Sequence, residues 1–197
     1  MLLILRHGET EWNRQGRMQG HLDSPLTRRG AAQARAQGAV LRRVGAAGLP
    51  LFCSPLGRAK ATAELALPGR SPIRDARLNE VGMGAWQGLT MAEIRARHPQ
   101  AFHGTDAVTW KFSAPGGETL DDIWRRVSAF LSDLSGPAVV VTHGVTSQVL
   151  RAQLTGLAPA SIGTIEDRQG VVYRVEDGCQ TVLDPPAEPD GQALLSC

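Results

Sequence analysis

Short runs of purely apolar residues recur along this chain and alternate with stretches of helical periodicity. Residues 2–5 and 138–141 are such runs, and residues 51–53 form a shorter one. A continuous apolar run is typical of a strand that is buried on both faces of a parallel sheet. We also interpret residues 73–78 as a third strand, and residues 170–175 as an edge strand that turns at Asp177 and Gly178.

Helical patterns separate these strands. Thr27 is a suitable N-cap for an alanine-rich helix, and Pro99 ends a shorter one. The predicted helices cover residues 28–44, 58–67, 91–97, 118–134 and 144–155. The stretch 99–117 between two of them is predicted to be an extended loop. This alternation of strands and helices predicts an α/β fold, here a three-layer α/β/α sandwich with a mostly parallel central sheet.

Composition narrows the class of protein. The chain has 197 residues, of which 42% are hydrophobic and 20% charged. This composition predicts one globular domain, which we place at residues 1–183, followed by a flexible tail at residues 184–197. The formal net charge is only +2, and the arginine pairs lie far apart in the sequence. Because a nucleic-acid site needs a continuous basic surface, we expect no nucleic-acid partner.

The cysteines and the apolar start of the chain bear on its location. Cys53, Cys179 and Cys197 include no C-x-x-C pair, which argues against a disulfide framework and against a structural zinc site. The first apolar run ends at Arg6 and is too short for a signal peptide or a membrane span. We therefore expect a cytoplasmic protein that does not associate with membranes.

Polar residues follow each predicted strand directly. Ligands of parallel sheets bind at the carboxyl ends of the strands, so these residues are candidates for one common site. They are Arg6-His7-Gly8 after the first strand, Ser54-Pro55-Leu56-Gly57-Arg58 after the second, Asn79-Glu80 after the third, and Thr142-His143-Gly144 after the fourth. Taken alone, each of them is an ordinary core or surface residue. Burying these polar and charged groups together costs free energy of folding unless an anion lies between them.

Phosphoryl transfer without a metal is the chemistry that uses this set. Two guanidinium groups bind a phosphate dianion, a neutral imidazole attacks phosphorus, and a carboxylic acid protonates the leaving oxygen. Backbone N–H groups of the helix that begins near Gly144 would point at the same anion. His21 and Asp23 could join His7 in a metal site, but the neighbouring arginines would repel a cation. We therefore expect neither a metal nor a cofactor.

The sequence resembles the histidine phosphatase superfamily, which includes the cofactor-dependent phosphoglycerate mutases. The matching motifs are Arg6-His7-Gly8-Glu9-Thr10, Trp12-Asn13, Ser54-Pro55-Leu56-Gly57-Arg58-Ala59, Asn79-Glu80, Gly116-Gly117-Glu118-Thr119 and Thr142-His143-Gly144. The resemblance covers residues 1–157 and implies a phosphoglycerate mutase-like fold. It also implies a role for each site residue. His7 would be the nucleophile and Glu80 the proton donor, and the phosphate pocket would be formed by Arg6, Arg58 and His143. Asn13 would bond the phosphate, and Gln19 and Gly20 would line the mouth of the pocket.

The resemblance leaves a phosphatase and a mutase as alternatives. A mutase needs cations for the substrate carboxylate, and the Tyr and Lys that serve this purpose in mutases are replaced here by Met83 and Met91. The inserted segment with paired arginines is also missing, whereas Trp110 and Phe112 suit an apolar or ring-bearing substrate. These differences favour a phosphomonoesterase acting on a small phosphorylated substrate, as a monomer or a homodimer. A mutase is the second hypothesis, and a phosphate-binding module without catalysis is the third.

Overall fold

A six-stranded sheet lies at the centre of the computed structural model, which describes residues 1–185. The strands are β1 (Leu2–Arg6), β2 (Leu51–Cys53), β3 (Ile73–Arg74), β4 (Ala138–Thr142), β5 (Val172–Glu176) and β6 (Cys179–Leu183). Their order is β3-β2-β4-β1-β5-β6. The first four strands run parallel to one another, and β5 and β6 are antiparallel to their neighbours. Apart from its first two residues, the predicted tail at 184–197 lies outside the described residues.

Five of the six α-helices in the described chain follow the predicted pattern closely, whereas the short first helix lies in a stretch where no helix was predicted. The six helices are α1 (Glu11–Arg14), α2 (Arg28–Arg43), α3 (Gly57–Ala66), α4 (Met91–Arg97), α5 (Leu120–Ser132) and α6 (Gly144–Leu154). The Thr27 side chain accepts a hydrogen bond from the Gly30 N–H and so caps α2, as its residue type predicts. Within residues 1–185, no helix is both long and apolar enough to cross a bilayer.

The side chains of β1 alternate between two separate cores. Leu3 and Leu5 pack in one apolar cluster with residues of α2 and α3, on one face of the sheet. Leu2 and Ile4 pack on the other face, in a cluster with residues of α5 and α6. All four side chains are buried, which is why the strand reads as a continuous apolar run. The predicted three-layer α/β/α sandwich with a mostly parallel sheet is confirmed.

The third strand is shorter than predicted. Only Ile73 and Arg74 pair with β2, and both residues are exposed at the sheet edge. The Asp75 side chain then accepts a hydrogen bond from the Arg77 N–H and begins a 3₁₀ turn at Ala76–Leu78. The prediction that Glu80 follows a strand is therefore wrong, because this turn lies between them.

The strand predicted at residues 170–175 is present as β5, but its predicted position at the sheet edge is wrong. Asp177 and Gly178 adopt positive φ angles of 50° and 74° and make the predicted tight turn. The chain then returns along β5 as β6, which was not predicted and which takes the edge position. β5 therefore lies inside the sheet, between β1 and β6.

The segment at residues 99–117 is not an extended loop. It contains two 3₁₀ helices, Pro99–Phe102 and Thr109–Ser113. Trp110 in the second helix stacks on Phe102 with ring centroids 4.9 Å apart and is only 2% exposed. Burial of this large ring folds the segment back onto the core.

Candidate active site

Strand register brings the predicted site residues together. Arg6 pairs with Thr142 in the β1–β4 ladder, and Cys53 pairs with Val141 in the β2–β4 ladder. The next residue in each case continues the pairing: the His7 N–H donates to Thr142 O, and the Ser54 N–H donates to Val141 O. The carboxyl ends of β1, β2 and β4 therefore form one edge, with His143 directly after β4.

The imidazole of His7 is buried in a defined tautomer. Its Nδ1 lies 2.7 Å from Gly8 O, and because a carbonyl oxygen only accepts, Nδ1 carries the proton. Nε2 is then unprotonated and accepts a hydrogen bond from Arg58 Nε at 3.3 Å. Burial, helped by the positive charges of Arg58 and Arg6, holds the pKa of His7 well below its usual value. The ring is therefore neutral at pH 7, with an unprotonated Nε2 that faces Arg58.

Arg58 lies in the first turn of α3 and is buried. Its two terminal nitrogens donate to Leu22 O at 2.7 Å and to Gly20 O at 2.8 Å. It also forms an ion pair with Asp23 at 2.9 Å. These contacts fix the guanidinium against His7, on the wall of a cavity. Burial lowers the pKa of Arg58, but an arginine stays charged inside proteins.

Arg6, the last residue of β1, contributes a second guanidinium to the same cavity. Its Nη1 lies 2.6 Å from Asp167 Oδ2, in an ion pair that is mostly shielded from water. Sequence analysis did not identify Asp167, because 160 residues separate it from Arg6 and no motif surrounds it. The Nε of Arg6 is buried without a hydrogen-bond partner in the described residues.

His143 lies behind the cavity rather than on its wall. The centroids of its ring and the His7 ring are 5.2 Å apart. Its Nε2 lies 2.8 Å from Ser54 Oγ, and this hydroxyl donates its own proton to Asn79 Oδ1. In that arrangement His143 Nε2 is the donor, and its buried Nδ1 has no partner within residues 1–185. Burial and the Arg58 charge hold the pKa of His143 well below its usual value.

Glu80 reaches the cavity from the chain that follows the 3₁₀ turn. Its carboxylate accepts hydrogen bonds from the backbone N–H groups of Val81 at 3.0 Å and of Val145 and Thr146 at 3.3 Å each. The last two belong to the first turn of α6. The prediction that these N–H groups point at the bound anion is therefore wrong, because they hold Glu80 instead.

A second group of contacts fixes the backbone around Glu80. Arg126 donates to both carboxylate oxygens of Glu118, at 2.8 and 3.1 Å, and to Glu80 O at 3.3 Å. Glu118 in turn accepts a hydrogen bond from the Gly82 N–H at 2.7 Å. His21 Nε2 lies 3.0 Å from Glu80 O. These contacts orient the segment that carries the Glu80 carboxylate.

Three of the four predicted substrate-binding residues line the cavity: Asn13, Gln19 and Gly20. Asn13 Oδ1 accepts from the Thr10 N–H and from Gln169 Nε2, so its amide nitrogen is available to the cavity. Gln19 Nε2 donates to Thr10 Oγ1 at 2.9 Å. Gly144 is the exception: it is buried at the start of α6 next to Asp167, Glu80 and Arg6, and is not among the residues that line the cavity.

The cavity also has two cations that sequence analysis did not place there, Arg17 and Lys111. Met18, Val81, Met83 and Val145 complete its wall with apolar surface. Neither Trp110 nor Phe112 lines it, although both aromatic rings were expected to suit the substrate. The cavity volume is about 130 Å³, below the roughly 300–1,000 Å³ of sites that enclose a drug-sized ligand. It therefore favours a compact ligand.

Possible metal ligands are not grouped anywhere in the part of the chain that the structure describes: no three His, Cys, Asp or Glu side chains come together. Asp23, a candidate in the sequence, instead pairs with Arg58.

The fold and this cationic cavity are those of an α/β enzyme that acts on phosphate esters. The family model described as Histidine phosphatase superfamily (branch 1) matches residues 2–181. The chain therefore belongs to the histidine phosphatase superfamily, as its motifs indicate, and members of that superfamily are phosphatases or mutases.

Known relatives include both types of enzyme. Phosphoserine phosphatase 1 of Hydrogenobacter thermophilus is 30% identical over 90% of this chain and 92% of its own. A 2,3-bisphosphoglycerate-dependent phosphoglycerate mutase of Methylobacterium radiotolerans is 36% identical over 93% of this chain and 95% of its own. Among solved structures, a candidate alpha-ribazole-5'-P phosphatase of Escherichia coli superposes with a TM-score of 0.76 at 26% identity, covering 96% of this chain and 97% of that chain.

Proposed function

We propose that this protein is a metal-independent phosphomonoesterase that forms a phosphohistidine at His7 while hydrolysing a small phosphorylated metabolite. The observation that carries the proposal is the unprotonated Nε2 of His7, which faces Arg58 beside a cationic cavity. A buried neutral imidazole that shares a cavity with two guanidinium groups is suited to attack an electron-poor phosphorus atom.

In the first step, Arg6 and Arg58 bind the oxygens of the phosphoryl group and stabilise the charge that spreads over them in the transition state. His7 Nε2 forms a bond to phosphorus as the ester P–O bond breaks. Protonated Glu80 gives its proton to the departing oxygen, so the alcohol leaves neutral. The products are the alcohol and a phosphohistidine.

In the second step, water attacks the phosphorus of the phosphohistidine. Glu80, now ionised, accepts a proton from this water as the P–N bond breaks. Inorganic phosphate leaves, and His7 returns to its neutral form with the proton still on Nδ1. The hydrogen bond from Nδ1 to Gly8 O keeps Nε2 pointed at phosphorus through both steps.

Mutase activity is the second candidate. It is supported by the 36% identical mutase and by Lys111, which puts a cation on the cavity wall where a substrate carboxylate would need one. Hydrolysis is favoured because Met83, at the position of the mutase tyrosine, faces the cavity with an apolar side chain. Met91, at the position of the mutase lysine, is 42% exposed at the start of α4.

Phosphoenzyme trapping tests the proposal. The wild-type protein and His7→Ala are mixed with a library of phosphorylated metabolites, phosphate release is measured, and quenched samples are tested for bound phosphate. We expect hydrolysis by the wild type and a phosphoenzyme that is stable in base and labile in acid, both lost in His7→Ala. If no member of the library is hydrolysed, the third hypothesis, a non-catalytic phosphate-binding module, replaces the proposal.

A second assay separates hydrolysis from mutase activity. The protein is incubated with 3-phosphoglycerate and a catalytic amount of 2,3-bisphosphoglycerate, and 2-phosphoglycerate and free phosphate are followed together. We expect phosphate to appear faster than 2-phosphoglycerate. The opposite order would establish the mutase.

A further inference from the structure

Lys111 and Arg17 are the charged residues of the cavity wall that the proposed reaction does not use, and Lys111 is the one without a partner in the described residues. It lies in the 3₁₀ helix Thr109–Ser113 and lines the cavity together with Arg6 and Glu80. Across residues 1–185, no acceptor lies within hydrogen-bond or ion-pair distance of its ammonium, which is half-buried. The chain's other lysine, Lys60, lies on α3, away from this wall.

The position of Lys111 is fixed by its neighbours. The backbone N–H of Lys111 donates to Val108 O at 3.0 Å, and the adjacent Trp110 donates from its indole Nε1 to Ala107 O at 3.1 Å. The Trp110 ring is held between Phe102 and Trp86, at 4.9 and 5.8 Å between centroids. Because Trp110 is anchored in the core, the next residue is held at the cavity.

The other additional cation, Arg17, is already engaged. Its Nη1 donates to Gly88 O at 2.8 Å, and its Nε donates to Gln15 Oε1 at 3.1 Å. Its Nη1 also lies 3.7 Å from Glu93 Oε2, so a carboxylate balances part of its charge. Lys111 has no such partner in the described chain.

The charges around Lys111 leave it short of negative partners. Burial lowers its pKa, and Arg6 acts in the same direction, whereas Glu80, Asp167 and Asp106 act against this. Asp167 is already paired with Arg6, and Asp106 accepts hydrogen bonds from the Val108 and Thr109 N–H groups. The Glu80 carboxylate accepts hydrogen bonds from three backbone N–H groups. A half-buried ammonium gains more from one added anion than a surface ammonium does, because water screens it less.

We infer that Lys111 binds a carboxylate of the substrate, so that the preferred substrate is a compact phosphomonoester of a hydroxy acid. This inference rests on the proposed function and adds the group that the enzyme recognises beside the phosphate. The single positive charge of one ammonium matches the single negative charge of a carboxylate. A second phosphate group would carry about two negative charges. The small cavity agrees with a short carbon chain between the two anionic groups.

A matched pair of substrates tests this. 3-Phosphoglycerate and glycerol 3-phosphate differ in that the first has a carboxylate where the second has a hydroxymethyl group. The ratio of their kcat/KM values, measured by phosphate release, gives the selectivity of the wild type, Lys111→Met, Lys111→Arg and Lys60→Met.

We expect the wild type to prefer 3-phosphoglycerate. Lys111→Met should lower the selectivity ratio by roughly 10- to 100-fold, the effect of losing one hydrogen-bonded charge, chiefly through the KM for 3-phosphoglycerate. Lys111→Arg should keep much of the preference, and Lys60→Met should keep all of it. If Lys111→Met does not fold, Lys111→Gln serves as the second neutral variant, and a melting curve of each variant establishes that it is folded.

Two results would overturn the inference. An equal loss for both substrates would mean that Lys111 serves the phosphate, and an unchanged ratio would mean that it does not read the carboxylate. Phosphoenzyme trapping is run on the same wild-type sample. A phosphoenzyme at His7 without selectivity contradicts only the role of Lys111, whereas the lack of a phosphoenzyme contradicts the proposed function.

Discussion

Arg58 Nε lies 3.3 Å from His7 Nε2, so a guanidinium N–H points at the ring nitrogen that carries no proton. This contact orients the imidazole. Burial first, and then the neighbouring positive charge of Arg58, hold the pKa of His7 well below its usual value. A phosphoryl group entering the cavity would lie where this N–H points. In the proposed reaction this N–H would exchange its acceptor, from His7 Nε2 to a phosphoryl oxygen, as the new bond forms.

Arg58→Lys tests the role of the guanidinium. A lysine keeps the charge but cannot reach Gly20 O, Leu22 O and the phosphoryl group at the same time. We expect kcat/KM to fall by roughly 100- to 1,000-fold, as when one transition-state donor is removed. Arg28→Lys, at an exposed position of α2, is the control and should keep full activity. Full activity in Arg58→Lys would mean that charge alone is sufficient.

The two buried histidines predict how stability depends on pH. The pKa of His7 and that of His143 are lowered in the folded protein, whereas an unfolded histidine titrates near pH 6.5. Below about pH 6.5 the unfolded chain thus binds protons that the folded protein does not. We expect the free energy of unfolding to fall as pH decreases, by up to about 1.4 kcal/mol per pH unit for each ring.

Urea unfolding between pH 5 and 7.5 measures this dependence. His143→Gln should reduce the slope by about one proton, because one buried ring is removed. His103→Gln, at an exposed position, should leave the slope unchanged. If the stability of the wild type is the same at pH 5.5 and pH 7.5, the two rings are not buried in neutral form.

Glu80→Gln tests the proton donor. An amide cannot protonate a leaving alkoxide, so the phosphorylation step should slow by roughly 100- to 10,000-fold for alkyl phosphates. p-Nitrophenyl phosphate has a good leaving group and needs little protonation, so its burst of nitrophenol should be far less affected. The slow second step should let the phosphoenzyme accumulate. Stopped-flow bursts with the two substrates measure the difference, and equal losses would contradict the acid role of Glu80.

Chelation tests the independence from metals. In the proposed mechanism, Arg6 and Arg58 on the cavity wall supply the positive charge that a divalent cation would otherwise bring to the phosphoryl group. We expect kcat/KM to be the same before and after prolonged dialysis against EDTA. A loss of activity that is restored by one divalent cation would show that the arginines are not sufficient.

The strands and their carboxyl ends were predictable from sequence because burial on both faces of a sheet leaves a distinctive pattern. The apolar residues of β1 serve two cores at once, so no polar alternation interrupts them. Once β1 and β4 are parallel neighbours, the backbone ladder alone places His7 beside Thr142.

The contacts between distant segments were not predictable in this way. Asp167 meets Arg6 only because β5 folds back beside β1, and no local pattern carries that information. Lys111 reaches the cavity because Trp110 is buried in the core. The sequence alone does not show whether an aromatic residue such as Trp110 packs in the core or contacts a substrate. Sequence periodicity identifies regular helices and strands. The segment at residues 99–117 contains only 3₁₀ helices of a few residues, which are too short to produce a periodic pattern.

The last prediction concerns the backbone next to His7, the proposed nucleophile, where α2 packs on the chain that follows β1. A Cβ added to Gly30 would lie 2.0 Å from Glu9 O, and one added to Gly8 would lie 2.2 Å from Gly30 O. Both obstacles are backbone atoms, so no side chain can move aside. Gly30→Ala must push α2 away from residues 8 and 9, and Gly8 O is the acceptor that orients His7.

We expect Gly30→Ala to lower the free energy of unfolding by about 1–3 kcal/mol, as overpacking does, and the melting temperature by on the order of 2–12 °C. Activity should fall even at temperatures where the variant stays folded, because the displaced Gly8 carbonyl no longer fixes Nδ1. Gly48→Ala is the matched control, since a Cβ at Gly48 meets nothing within 4 Å. If Gly30→Ala and Gly48→Ala have the same melting temperature and the same activity, the close approach of Gly8 and Gly30 does not position His7.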